Sequence, residues 1–154
     1  MLMDLGTYIP AAHIIAPLRA ENDDEALNRL VTKVVEHTNK FSTTSKILEQ
    51  LRTESVLRAA LVGHGTAIIH SRIEDLPESV TTLGIAPPET SFRIGSGFRY
   101  LVSVIFLVLS PTEPPEPHLE LVAAIANFVR DTELLSALKS SRSAEEATNT
   151  LARK

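Results

Sequence analysis

The run Leu101-Val102-Ser103-Val104-Ile105-Phe106-Leu107-Val108-Leu109, LVSVIFLVL, decides the fold class of this chain. It is apolar at nearly every position and rich in β-branched residues, so a pleated strand built from it has two faces that avoid water. The pattern predicts a central strand over 101–109, and helices must cover it on both sides. The run is also far shorter than the roughly 20 residues that a membrane-spanning helix needs.

Helical cover is legible on either side of the run. Asn22-Asp23-Asp24-Glu25 offers a cap and an acidic first turn, after which Ala26, Leu27, Leu30, Val31, Val34 and Val35 recur at helical spacing. A second helix is predicted over 43–57, with Thr43, Thr44 and Ser45 as cap candidates and Ile47, Leu48 and Leu51 as its apolar stripe. Beyond the central run, the prolines of 111–117 make a stiff loop, since each fixes φ and lacks an N–H donor. A helix is then predicted to open at His118, with Leu119, Val122, Ala123, Ala126 and Val129 on its apolar face. Shorter helices are expected over 133–139 and 143–152, the last with capping-box spacing between Ser143 and Glu146.

Three more strands are expected. GHGTAIIHSR (63–72) ends in one, VTTLGI (80–85) is another, and 90–94 reads as an edge strand before a Gly95-Ser96-Gly97 turn. The sum is an α/β chain: one three-layer domain over 1–154, with a mixed β-sheet and helices on both faces.

Bulk properties narrow the function. The net charge of -4 lacks the basic excess that binds nucleic-acid phosphates, so no nucleic-acid partner is expected. Without any cysteine there are no disulfides, no thiolate chemistry and no usual structural zinc site, which suits a reducing compartment. The N-terminal stretch lacks a basic start followed by a long apolar run. The expectation is therefore a cytoplasmic protein with no direct membrane insertion.

The histidines carry the chemistry. In the strand ending GHGTAIIHSR, alternation puts Thr66, Ile68 and His70 on one side, with Ala67 and Ile69 on the other. His70 stands where that strand runs out, at the kind of sheet edge where ligands gather. His118 stands at a helix start, where unpaired N–H groups and the dipole favour an anion. The two are expected to meet at one edge and form a cradle for a phosphohistidine. The other reading makes both of them structural. His13 and His37 read as a partly buried and a helix-C-terminal imidazole.

Other chemistries fit less well. A zinc site of His64, His70 and His118 has no familiar spacing, no HExxH is present, and the nearest carboxylate, Glu116, sits in the proline loop. GxSxG is absent, and Gly63 and Gly65 precede a strand instead of opening a helix. Neither a metal nor a cofactor is expected.

Taken together, GHGTAIIHSR, IEDLPESVTTLGIA, LVSVIFLVLSP and PHLELVAAIANFVRD resemble the enzyme IIA domain of the mannitol/fructose type. Such domains are phosphocarriers of the bacterial phosphoenolpyruvate-dependent sugar phosphotransferase system, and the family includes a nitrogen-regulatory branch. The resemblance extends over nearly the whole chain. It implies that His70 is the phosphorylated residue and that His118 lies beside it, with Arg72 at a basic position that helps stabilise the phosphoryl group. A histidine phosphocarrier protein would be the donor. A sugar-permease IIB component or a regulatory target protein would be the acceptor. The chain also departs from the family pattern, with Ile69 where a proline usually precedes the histidine, Glu54 at an arginine position, and Ala59-Ala60 replacing a small hydroxyl pair. Arg52 and Arg58 are the neighbouring basic residues. A second function thus stays open: a regulatory protein-binding module with weak or lost phosphorylation.

Overall fold

The structure, a computed structural model, describes residues 4–38, 44–53, 61–74, 76–88, 90–94, 100–114 and 116–153. A short helix α1 (Leu5–Tyr8) and a 3-10 turn (Ala11–His13) lead into β1 (Ile14–Ile15). Helices α2 (Asp23–Thr38) and α3 (Thr44–Leu51) precede the hairpin of β2 (Leu61–Gly63) and β3 (Thr66–Arg72). Next come β4 (Val80–Ile85), β5 (Phe92–Ile94), β6 (Tyr100–Val102) and β7 (Val104–Ser110). Helices α4 (Glu116–Arg130), α5 (Thr132–Lys139) and α6 (Ala144–Leu151) complete the chain.

Five strands form a mixed sheet in the order β1-β4-β7-β3-β2. The central strand, β7, pairs parallel with β3 and antiparallel with β4. Its side chains alternate between two apolar layers. Ile105, Leu107 and Leu109 join Ala67 and Ile69 against the buried stripes of α2 and α3, including Leu30, Ile47 and Leu51. Val104, Phe106 and Val108 join Ile68 against Leu121, Ile125 and Phe128 of α4 and against Leu138 and Leu151. The fold is the three-layer α/β arrangement expected from the sequence. Among the described residues no helix is long and apolar enough to cross a membrane.

Caps fix several helix starts. The Glu25 N–H donates to Asn22 Oδ1 at 2.9 Å at the start of α2. Asp131 Oδ1 accepts from the N–H groups of Glu133 and Leu134 at the start of α5. At α6 the Glu146 N–H donates to Ser143 Oγ, and the Glu146 carboxylate accepts from the Arg142 N–H, one residue earlier than in a standard capping box. Thr44 and Ser45 lie inside α3 instead of capping it, while Thr43 and the predicted end of that helix fall outside the described residues.

The predicted strand over 101–109 is two strands in two sheets. Ser103 divides them: its N–H donates to the Gly65 carbonyl at 2.8 Å, and its carbonyl accepts from the Ala86 N–H at 2.8 Å. Residues on the C-terminal side enter the central strand. On the other side β6 pairs antiparallel with β5 in a two-stranded sheet, which leaves Leu101 55% exposed. The apolar run hid this break because Phe92 and Val102 of the small sheet are buried in the α2–α3 layer. The predicted turn at 95–97 lies outside the described residues.

Helix α4 opens at Glu116, two residues before the predicted start. Pro117 sits in the first turn, where a missing N–H costs nothing. The buried face is also rotated by about one residue from the predicted stripe. His118, Leu121, Ile125 and Phe128 face inward, whereas Leu119 is 61% exposed. Val122, Ala126 and Val129 are only partly buried, and Ala123 is exposed.

Candidate functional site

Strands β3 and β7 run side by side to one edge of the sheet, with His70 opposite Val108 and Arg72 opposite Ser110. The antiparallel β4 starts at the same edge, immediately after Ser79. The first turn of α4 lies over it. Further bonds fasten the end of β3: Gln50 Nε2 of α3 donates to Ser71 Oγ at 3.0 Å and to the Arg72 carbonyl at 2.7 Å. Just beyond the strand, the Ile73 N–H donates to the Ser110 carbonyl at 2.8 Å.

His70 lies on the α4 side of β3, and its ring meets that of His118. His70 Nδ1 is 3.1 Å from His118 Nε2, with ring centroids 5.2 Å apart and planes tilted by 55°. His118 is 3% exposed, and its second nitrogen, Nδ1, lies 2.7 Å from Ser110 Oγ. The Ser79 and Ser110 hydroxyl oxygens are 3.0 Å apart. A chain of polar groups therefore links two half-buried residues through two buried ones: His70, His118, Ser110, Ser79. With Nδ1 of His70 occupied, Nε2 is the nitrogen left for a reaction.

Arg72 shares the face of His70 two residues on, and its Nη1 donates to the carbonyls of Pro111 and Thr112 at 3.3 Å each. The guanidinium thus holds the proline loop while its charge bears on both rings. Burial first, then the Arg72 charge, then His70 push the His118 pKa down from the usual 6.5 to about 4. His70 is lowered as well, by burial and then by Arg72. Both rings are neutral at pH 7. One can act as a nucleophile and the other as a hydrogen-bond acceptor, beside a fixed positive charge suited to an anion.

The remaining histidines are elsewhere. His64 and Gly65 form the β2–β3 turn with φ of 55° and 76°, which places His64 at the far end of β3, roughly 20 Å from His70 at the rise of a strand. The Lys139 ammonium donates to the His64 carbonyl there. His13 lies in the 3-10 turn, and His37 lies in the last turn of α2. Among the described residues no group of three or more His, Asp or Glu side chains is arranged to hold a metal ion. Glu54, Arg58, Ala59 and Ala60 fall outside the described residues. Arg52 pairs with Asp24 at 3.4 Å. Ile69 is fully buried on the opposite face from His70, in the α2–α3 layer.

Ser110, Ser79 and Gln50 were not legible as site residues. Ser110 only reads as the polar end of an apolar strand, and its relation to His118 depends on the β3–β7 register. Ser79 and Gln50 arrive from segments whose approach to the edge the sequence pattern does not encode.

Comparison with known proteins agrees with this architecture. The chain is 27% identical over 150 residues to a nitrogen regulatory protein of Bradyrhizobium diazoefficiens, covering 94% of this chain and 95% of that one. Its fold superposes with a TM-score of 0.77 on the nitrogen regulatory protein IIA-Ntr of Neisseria meningitidis, at 18% identity, over 96% of this chain and 98% of that chain. It superposes with a TM-score of 0.70 on a chain of the complex of enzyme IIAMTL and phosphorylated enzyme IIBMTL from Escherichia coli, at 15% identity, over 92% of this chain and 95% of that chain. Residues 7–154 match the family described as "Phosphoenolpyruvate-dependent sugar phosphotransferase system, EIIA 2", and the chain belongs to that family.

Proposed function

We propose that the protein is a phosphocarrier that accepts a phosphoryl group on His70 from a histidine phosphocarrier protein. It then hands the group to a permease IIB component or holds it as a signal to a regulatory target, in the cytoplasm. The observation that carries this reading is the 3.1 Å contact between His70 Nδ1 and His118 Nε2, which commits one nitrogen of His70 and leaves Nε2 to react. The electron pair of Nε2 forms the new P–N bond. The pair of the breaking P–N bond returns to the donor's imidazole, so phosphorus keeps its count of bonds. Such transfer needs positioning and charge stabilisation above all. His118, being neutral, accepts the Nδ1–H of His70 and shares the positive charge that the ring gains on phosphorylation. Arg72 adds a cation facing the phosphoryl oxygens.

The signalling branch is favoured by the match to a nitrogen regulatory protein over nearly its full length. The test is incubation with phosphoenolpyruvate and the two general phosphotransfer proteins, followed by intact mass. The expected product carries one phosphoryl group, loses it in mild acid and does not form in His70→Ala. His118→Ala slows the reaction by roughly tenfold or more without abolishing it. If the native chain stays unmodified under conditions that phosphorylate an authentic enzyme IIA, the carrier reading fails and the protein-binding module takes its place.

A further inference from the structure

We infer that Ser110, braced by Ser79, is a positioning residue that makes available the tautomer of His118 in which Nε2 of His70 holds a lone pair. The inference rests on the reading that His70 accepts the phosphoryl group, and it adds two residues that no sequence motif marks.

A neutral imidazole has one N–H and one lone pair, so two rings in contact have only two self-consistent arrangements. In the first, His118 carries its hydrogen on Nδ1 and donates to Ser110 Oγ, 2.7 Å away. Its Nε2 then accepts from His70 Nδ1–H, and His70 Nε2 carries a lone pair. In the second, His118 carries its hydrogen on Nε2 and donates to His70 Nδ1. The hydrogen of His70 is then on Nε2, and the reacting nitrogen is blocked. Attack by Nε2 from the first arrangement leaves the ring hydrogen on Nδ1, where it still donates to His118 Nε2.

Ser110 makes the first arrangement available. It is 1% exposed, so solvent cannot replace it as the partner of His118 Nδ1. A serine oxygen has two lone pairs and a rotating hydrogen, so it can accept from His118 while sharing a hydrogen bond with Ser79, 3.0 Å away and half-buried. Both serines precede or close strands that meet at the site edge: Val80 pairs with Leu109, which brings Ser79 beside Ser110. Without the Ser110 hydroxyl the first arrangement strands a buried N–H donor, whereas the second strands only a lone pair, the milder penalty. The Ser110→Ala ring pair therefore shifts to the blocked arrangement.

Nitrogen-15 NMR of the histidine rings in the full-length protein, combined with phosphorylation rates, tests the assignment. The native chain is expected to show His118 protonated on Nδ1 and His70 with an unprotonated Nε2. Ser110→Ala is expected to move the His118 hydrogen to Nε2 and slow phosphorylation roughly tenfold, and Ser110→Thr to restore both. Ser79→Ala should have a smaller effect of the same sign. A native spectrum with the His118 hydrogen on Nε2 overturns the inference, as does Ser110→Ala loading at the native rate. Absence of phosphorylation in the native chain would sink the carrier reading instead, and the native ring spectrum would still decide the role of Ser110.

Discussion

Arg72 and Ser110 are direct partners across the parallel β3–β7 pair, so a guanidinium and a buried hydroxyl reach the site edge on the same level and the same face. Burial first, and then the Arg72 charge, depress both ring pKa values, while the Ser110 hydroxyl lies 2.7 Å from His118 Nδ1.

The burial of His118 sets a pH dependence of stability. His118 titrates at about 4 in the folded chain, against 6.5 without the fold, chiefly because it is buried. Between those values the unfolded chain binds a proton that the folded chain does not. The stabilisation is therefore fully present above pH 6.5 and is lost as pH falls toward 4, by an amount on the order of 3 kcal/mol. Urea unfolding midpoints at pH 7.5, 6 and 4.5 check the slope. His118→Gln should flatten it, and an unchanged slope in that variant would assign the effect to other groups.

Leu119 follows His118 in the first turn of α4 and is exposed. Under the carrier reading this leucine meets the incoming phosphocarrier. Leu119→Asp should raise the KM for that donor severalfold with little change in kcat, and should move stability by less than about 0.5 kcal/mol. Steady-state transfer at varied donor concentration separates this from a defect in chemistry.

Gly84 in β4 leaves no room for a side chain. A Cβ there would come within 2.5 Å of Leu18 Cδ2 and 3.2 Å of Leu30 Cδ2, both fully buried leucines. Gly84→Ala should destabilise by about 1 to 3 kcal/mol through overpacking, read as a lowered denaturation midpoint at unchanged m. The companion variant Leu18→Ala, Gly84→Ala should lose less than the sum of the two single changes, because the new methyl enters the space vacated.

Glu54 occupies the position where the resembled family carries an arginine. Under the carrier reading and that resemblance, a carboxylate at this position would repel the phosphoryl group, so Glu54→Arg should speed phosphorylation several-fold by removing a like charge and adding a bidentate donor. Equal rates in both proteins would place residue 54 away from the reacting group.

The sequence disclosed the layers because burial on two faces leaves an unmistakable apolar record, as in Val104 to Leu109. It also disclosed the pairing of His70 with His118, since one ends a strand and the other begins a helix. It missed the break at Ser103 because two different sheets there bury residues of the same type. The rotation of α4 was invisible for a related reason. A polar His118 takes an inward position and an apolar Leu119 an outward one, so the residues that face the site invert the usual pattern. Ser79 and Ser110 acquire their roles only through strand register, which no local periodicity records.

β3 is tethered at both ends. Lys139 holds the carbonyl of the turn before it, and Gln50 holds the carbonyl of its last residue. A taut segment of this kind has little freedom to bend, and His118 holds the ring of His70 in turn. A phosphoryl group arriving there would change the electrical character of one patch and leave the outline of the molecule intact. Any partner distinguishing the two forms would then be sensing charge, not shape.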